Sequence, residues 1–271
     1  MKITMLGTGH ALVTRCYNTC FIISNDDNKN FLVDSGGGNQ ILSNIEKAGL
    51  KLEDIHEIFV THKHIDHILG MIWIIRITAQ HMNLKIYVGD LNIYANDDVL
   101  DVLLDICRKL LLPYQFDFIG KRIHLIELKD GFETEIINNK IRFFDIHSNR
   151  TKQFGFNIFM NDGQKLTCCG DEPFHEIYYD YAKNSDWLLH EAFCLYSEAE
   201  IYKPYEKNHS TVKDACENAE KLNVKNLVIY HAEDNNLENR KNLYIQEAVK
   251  FFNGNIFVPY DLEVIELNSK V

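Results

Sequence analysis

Thr61-His62-Lys63-His64-Ile65-Asp66-His67 sets four metal-binding side chains within one short stretch. It follows an apolar run, Ile55 to Val60, that reads as a buried strand, and precedes Ile68 to Ile77, apolar and long enough for a helix. Alternate positions of an extended segment point to the same side, so His62 and His64 are placed to share one ion. Asp66 and His67 fall where the chain turns into the helix and can serve a second ion. Imidazole and carboxylate suit zinc, which takes nitrogen and oxygen ligands around an open catalytic position, with manganese as the alternative. A polar surface turn is the competing reading, but ligands clustered at a strand end usually mark a site.

Such ligands need a scaffold, and the rest of the chain reads as one. Lys2 to Leu6 is a strand, and Gly7-Thr8-Gly9-His10 a turn. Cys20 to Ser24 and Phe31 to Val33 form a hairpin with a solvated tip. The run from Asp34 through Gly36-Gly37-Gly38 to Gln40 opens a helix reaching about Ala48. It lacks the Lys-Ser/Thr ending of a nucleotide loop and the spacing of a dinucleotide fingerprint, so its glycines are read as letting backbone pass close to the metal edge. Lys85 to Val88 reads as a strand. Asp97 to Leu112 reads as a core helix, with Val99, Leu103, Ile106 and Leu110 as its apolar stripe and Pro113 ending it. Residues 123–145 give two or three strands, the last delivering His147.

Phe154 to Met160 and Lys165 to Cys169 bracket the turn Asn161-Asp162-Gly163-Gln164, and Asp171 follows. Further helices are expected over Phe174 to Ala182, Thr211 to Leu222 and Leu237 to Phe252. Strands Trp187 to Leu189 and Leu227 to Tyr230 end in His190-Glu191 and His231, and two short strands close the chain. Alternation of strands and helices in both halves suits two β-rich layers covered by helices, an α/β domain spanning residues 1–271. His147, Asp171, Glu191 and His231 thus stand just after strands, where a rigid scaffold presents chemistry. His10, His56, His81, His124 and His175 fit none of these places and read as structural or exposed.

His-x-His-x-Asp-His after a strand resembles the signature of the metallo-β-lactamase superfamily. The resemblance implies a four-layer αββα sandwich with a two-metal site, and His64, in place of a Glu, implies a hydrolytic zinc site. In that pattern the later ligands come as His, Asp, His, an order that His147, Asp171 and His231 supply. It assigns His62, His64 and His147 to one Zn2+ and Asp66, His67 and His231 to the other, with Asp171 bridging. Asp34 matches the superfamily's Asp-x-Gly and would support the metal loop. Leu189-His190-Glu191-Ala192-Phe193 resembles the His-Glu-Ala-Thr stretch of ribonuclease Z, and His209-Ser210-Thr211 resembles its His-Ser-Thr loop. There the Glu and the His form a proton-handling dyad, a role that falls here to Glu191 and His209.

The chain departs from ribonuclease Z in three places. Val13-Thr14-Arg15-Cys16-Tyr17-Asn18 stands where a Pro-x-Lys-x-Arg-Asn loop is usual, and Glu172 follows the bridging Asp where Thr is usual. The tRNA-gripping arm belongs between the third His and that Asp, but His147 and Asp171 are 24 positions apart and the hairpin fills that space. The arm is absent. Arm-less relatives include phage and bacterial enzymes that degrade 3′,5′-cyclic nucleotides, so the lead expectation is a di-zinc phosphodiesterase acting on small nucleotide diesters with water activated between the ions. Arg150 or Lys152 is expected to neutralise phosphate, and Tyr196, Tyr202 and Tyr205 to stack a base or to pack. The runner-up is a ribonuclease-Z-like endoribonuclease, and a metal-sensing module is the non-enzyme alternative.

Composition narrows the partners. Hydrophobic residues at 46% and charged ones at 25% describe an ordinary soluble globular chain. The formal charge of −11 counts against gripping a long polyanion, which calls for gathered Lys and Arg. The expected partner is a small phosphodiester, with no membrane and with a homodimer left open. Seven cysteines, an odd number without a paired framework, read as reduced thiols. With no charged-then-apolar leader before Lys2, the cytoplasm is the expected compartment.

Overall fold

Two seven-stranded mixed sheets organise the described residues, 1–267, of this computed structural model. Each belongs to one of two compact units. Unit 1 comprises Met1–Gly7, Tyr17–Leu128 and the residues from Leu262, and unit 2 comprises Thr8–Cys16 and Lys129–Asp261.

The strands of unit 1 are β1 (Lys2–Gly7), β2 (Cys20–Ser24), β3 (Asn30–Val33), β4 (Ile55–Phe59), β5 (Leu91–Ala95), β6 (Ile123–Glu127) and, last in sequence, β14 (Val264–Glu266). Their order is β14-β1-β2-β3-β4-β5-β6. The β14-to-β3 pairs are antiparallel and the β3-to-β6 pairs parallel. Parallel neighbours need crossovers, and helices supply them: α1 (Gln40–Lys47) joins β3 to β4, α2 (Ile65–Asn83) joins β4 to β5, and α3 (Asp97–Leu110) with the short α4 (Pro113–Phe116) leads to β6. Ile41, Ile45, Met71, Ile74, Ile75, Val99 and Leu103 from these helices share one buried cluster with Ile22, Leu32, Ile58 and Ile93 from the strands.

Unit 2 holds β7 (Glu133–Ile136), β8 (Asn139–Asp145), β9 (Phe154–Phe159), β10 (Lys165–Cys168), β11 (Trp187–Glu191), β12 (Asn226–Tyr230) and β13 (Asn255–Phe257), in the order β13-β12-β11-β10-β9-β8-β7. It pairs antiparallel from β7 to β10 and parallel from β10 to β13. The short α5 (Tyr179–Ala182) and α6 (Ala199–Tyr202) precede α7 (Val212–Lys221) and α8 (Leu237–Ala248). Val212, Ala215 and Ala219 of α7 and Tyr244 and Ala248 of α8 close over Leu188, Leu227 and Ile229. Thr211 caps α7 reciprocally with Asp214, fixing the helix start two residues after His209, a device worth about 1 kcal/mol.

Four expectations shift. The strand near residue 90 is Leu91–Ala95, not Lys85 to Val88, where Ile86 and Val88 are exposed in a turn after α2. The α2 helix begins at Ile65, so Asp66 and His67 lie within its first turn. The buried stripe of α3 is Val99, Leu103 and Cys107, while Leu110 is exposed at the last turn. Phe174 to Ala182 is a 3-10 turn, Glu176–Tyr178, followed by α5, with no continuous helix. All seven cysteines stand as unbridged thiols, as expected. Among the described residues no helix is long and apolar enough to cross a membrane.

Candidate active site

The four ligand candidates of unit 1 gather where β4 hands over to α2. His62 is wholly buried, His67 and Asp66 nearly so, and His64 exposed. Asp34, just after β3, organises them. Its Oδ1 accepts from Thr61 N at 2.8 Å, and its Oδ2 accepts from Thr61 Oγ1 at 2.8 Å and from His67 Nδ1 at 2.7 Å. Thr61 Oγ1 has one hydrogen and gives it to Asp34, so it accepts from His62 Nδ1 at 2.9 Å. Both imidazoles therefore carry their proton on Nδ1 and present Nε2. His62 Nε2 lies 2.8 Å from His64 Nδ1, and His67 Nε2 lies 3.4 Å from Asp66 Oδ2.

The glycine-rich turn lets α2 come this close. Gly70 N–H donates to Gly36 O, and a Cβ on Gly70 would stand 2.0 Å from Ser35 O. Ser35 donates through both N–H and Oγ to His67 O, at 3.0 and 2.7 Å, which fixes the first turn of α2.

In unit 2, Asp171 follows Gly170, which sits at φ +76, a value that favours glycine. A Cβ there would strike Gln153 Oε1 at 2.0 Å, and this close approach has a use. Gln153, wholly buried, accepts from Asp171 N and donates to Asp171 Oδ1, each at 2.8 Å, so the carboxylate is held at two points. Asp171 Oδ2 lies 3.4 Å from His231 Nε2. Donor atoms of Glu191, His209 and His231 fall within 4.8 Å of one another. His147, left-handed at φ +56, has an exposed ring, and among the described residues it joins no such cluster in its unit.

His209 lies against several partners at once. Its Nδ1 donates to Asp171 O at 3.0 Å, and its ring stacks on Phe193, 5.2 Å between centroids and 6° from parallel. Burial and the neighbouring His231 push its pKa down to about 3, so the ring rests neutral with its proton on Nδ1. Glu191 does not orient the ring by a hydrogen bond: Oε2 stands 3.7 Å from His209 Nδ1, while Oε1 accepts from Ser210 N. Glu191 is wholly buried, and that burial pushes its carboxyl well above the usual carboxylate range.

Other expectations resolve against partners in unit 2. Arg150 turns its guanidinium onto two backbone carbonyls, Lys207 O at 2.7 Å and Glu206 O at 2.8 Å. Tyr205 donates to Asp214 Oδ2 at 2.9 Å, Tyr202 reaches Glu233 Oε2 at 3.4 Å, and Lys213 Nζ lies 4.4 Å above the Tyr196 ring. His10, read from sequence as structural or exposed, packs 4.5 Å from Phe193 and 6.3 Å from His231 between centroids. Its place beside the Gly7-Thr8-Gly9 turn was the one available signal. Gln153 and Thr61 carried none, since each acts through a partner distant in sequence or through a backbone group.

The family described as Anti-Pycsar protein Apyc1 matches residues 1–253. The chain belongs to that family. A ribonuclease Z of Archaeoglobus fulgidus is 26% identical to it, covering 94% of each chain. Among solved structures, the metallo-β-lactamase fold protein YhfI of Bacillus subtilis superposes with a TM-score of 0.75 at 18% identity, over 98% of this chain and 99% of that one. The short form of human tRNase Z gives 0.73 at 19%, over 99% and 100%. The fold is the metallo-β-lactamase α/β fold, and the chain is a metal-dependent hydrolase.

The residues fit divalent metal. In unit 1, buried acceptors fix the protons of His62 and His67 on Nδ1, which leaves Nε2 as the atom of each able to take a metal. In unit 2, Gln153 fixes the Asp171 carboxylate beside His231. Nitrogen and carboxylate oxygen donors of this kind suit zinc and also accept manganese.

Proposed function

We propose that this chain, acting as one metallohydrolase domain, hydrolyses small nucleotide phosphodiesters, 3′,5′-cyclic nucleotides foremost. The observation that carries the reading is the match of residues 1–253 to the Anti-Pycsar Apyc1 family, one of cyclic-nucleotide degradation. The hairpin of β9 and β10 supports it: it accounts for most of the chain between His147 and Asp171, leaving no length for an RNA-gripping arm. The charge of −11 argues the same way.

His62, His64, Asp66, His67, His147, Asp171 and His231 would hold two divalent ions, zinc by preference and manganese as the alternative. Bound divalent ions make water a nucleophile at neutral pH and offset charge on phosphoryl oxygens. Asp34 and Thr61 hold the unit 1 imidazoles in their ligating tautomer, and Gln153 holds Asp171. Asp66, at the start of α2, is also a catalytic residue in this reading, by orienting the attacking water.

His209 takes up a proton shed by the attacking water and passes it to the departing ribose oxygen. Because Nδ1–H is bound to Asp171 O, that proton leaves from Nε2. The ring is neutral at rest, and the phosphate anion of a bound substrate favours its protonated form. Glu191 keeps His209 in place through Ser210 N, while the Phe193 ring supports its face.

A substrate panel tests the reading: 3′,5′-cyclic nucleotides, cyclic dinucleotides, a chromogenic phosphodiester, a thioester, a β-lactam and a 3′-extended tRNA, each with zinc or manganese. Cyclic nucleotides are expected to turn over fastest. The second reading, a ribonuclease-Z-like endoribonuclease, draws on the 26% identity to the Archaeoglobus enzyme. Efficient, site-specific cleavage of the tRNA at physiological salt would decide for it.

A further inference from the structure

Two loops of unit 2 carry His147 and His209, the second including the 3-10 turn Tyr205–Lys207, and side chains other than these histidines stitch them together. In the first loop, Ser148 Oγ accepts from Arg150 N at 3.1 Å and Thr151 N at 3.3 Å, and donates to Glu172 Oε1 at 2.7 Å. That turn aims Arg150 outward. Its Nη1 donates to Lys207 O at 2.7 Å and its Nη2 to Glu206 O at 2.8 Å, on the turn just before His209. A planar guanidinium suits a pair of adjacent carbonyls in a way that an ammonium does not.

Glu172, only 4% exposed, holds the first loop: its Oε1 accepts from Ser148 Oγ, which fixes the turn that carries Arg150. His147 and Asn208 both sit in the left-handed region, at φ +56 and +61, which non-glycine residues keep only where the surroundings hold them. The segment from Pro204 to His209 otherwise closes on itself, with Lys207 N and His209 N both donating to Pro204 O. The two Arg150 hydrogen bonds tie that segment to the loop after β8.

We infer that Arg150, its turn held by Glu172 through Ser148, is a positioning residue for His209: the paired Arg150 hydrogen bonds set the place of its imidazole over Asp171 O. The inference rests on the assignment of His209 as proton donor, and the test separates the two. In the zinc-loaded full chain, Arg150→Ala is expected to keep its metal content. It should lose roughly 10- to 100-fold in kcat on a 3′,5′-cyclic nucleotide, the scale of a small misplacement, with KM nearly unchanged. A nitrophenyl diester, whose leaving group departs without a proton, should lose far less.

Guanidinium ion in the buffer should restore part of the Arg150→Ala loss, and Arg150→Lys should behave like Arg150→Ala. Glu172→Gln, which still accepts from Ser148, should be milder than Glu172→Ala. Nitrogen NMR of the His209 ring should move in Arg150→Ala, and in a His209→Ala background Arg150→Ala should add nothing further. Losses that add fully in that background, or an unmoved His209 ring signal, overturn the inference while leaving the proton-donor assignment intact. If His209→Ala alone proves indifferent to leaving group, the proton-donor assignment fails, and the ring signal still decides whether Arg150 positions His209.

Discussion

Replacing Asp34 tests how the unit 1 ligands are held. The carboxylate is 3% exposed and accepts three hydrogen bonds, from Thr61 N, Thr61 Oγ1 and His67 Nδ1. Two consequences follow, and they are separable. His67 loses the acceptor that keeps its proton on Nδ1, and Thr61 Oγ1 loses its reason to accept from His62, so both ligating nitrogens lose their tautomer. Loss of such an outer partner weakens metal affinity by roughly 10- to 100-fold, or about 1.4–2.7 kcal/mol. Buried donors are also left without their acceptor in the metal-free protein. Each bond to a charged group is worth about 1.5–3 kcal/mol, but the three share one carboxylate, so a total near 3 kcal/mol is the realistic scale.

Asp34→Asn is the cleaner substitution, because Asp34 sits at φ +57 and asparagine tolerates that region where alanine adds strain. One amide oxygen can serve the Thr61 N–H or the Thr61–His67 pair, not both, so Asn should fall near the tenfold end and Asp34→Ala near the hundredfold end. Zinc competition against a chromophoric chelator reads the first effect, and thermal unfolding of chelator-treated protein reads the second. Unchanged zinc affinity in both variants would refute the argument and show that packing alone orients His62 and His67.

Four further outcomes are expected. Unchelated protein should carry about two zinc or manganese ions per chain, and His62→Ala, His147→Ala or Asp171→Ala should lower occupancy and abolish turnover, so full activity in any of them would remove that ligand. His209→Ala should retain metal yet lose on the order of 10²–10⁴-fold on a cyclic nucleotide and far less on a nitrophenyl diester, with Glu191→Gln milder; equal losses would leave His209 as a phosphate-binding or structural group. His209 is held at about 3 against 6.5 when exposed, so the unfolded chain binds the extra proton between those values. Metal-free protein should therefore lose stability as pH falls from about 6.5 toward 3, less steeply in His209→Asn, and identical slopes would contradict the burial of a neutral ring. Any tRNA cleavage should be slow and fall steeply with added salt, as phosphate contacts by an acidic protein require.

The fold was legible where spacing reports geometry directly. The His62 to His67 stretch names its own strand and helix, and the tight turn at Gly163 announces the β9–β10 hairpin that leaves no room for an arm. Reading failed where apolar character was taken for burial. Ile86 and Val88 look like strand residues, yet they are exposed, because the parallel strand that pairs with β4 starts at Leu91. In α3 the buried position is Cys107, with Leu110 beyond the last turn that meets the core.

The site was legible to the same depth and no further. Ligand types are side-chain chemistry and show in the sequence, but what orients them here is mostly not. Thr61 works because Asp34 takes its hydroxyl proton, Gln153 because Gly170 lets the Asp171 backbone approach it, and His209 because a main-chain carbonyl accepts from Nδ1. The same device recurs in both units: a neighbouring oxygen takes the Nδ1 proton of His62, His67 and His209, so Nε2 is the nitrogen left for chemistry in each. In the proposed reading His62 and His67 would use Nε2 for metal. His209, stacked on Phe193 and held by Asp171 O, has the same atom to accept and return a proton. On that reading the proton on Nδ1, set by acceptors that no motif records, would let one residue type serve as ligand in one place and as proton carrier in another.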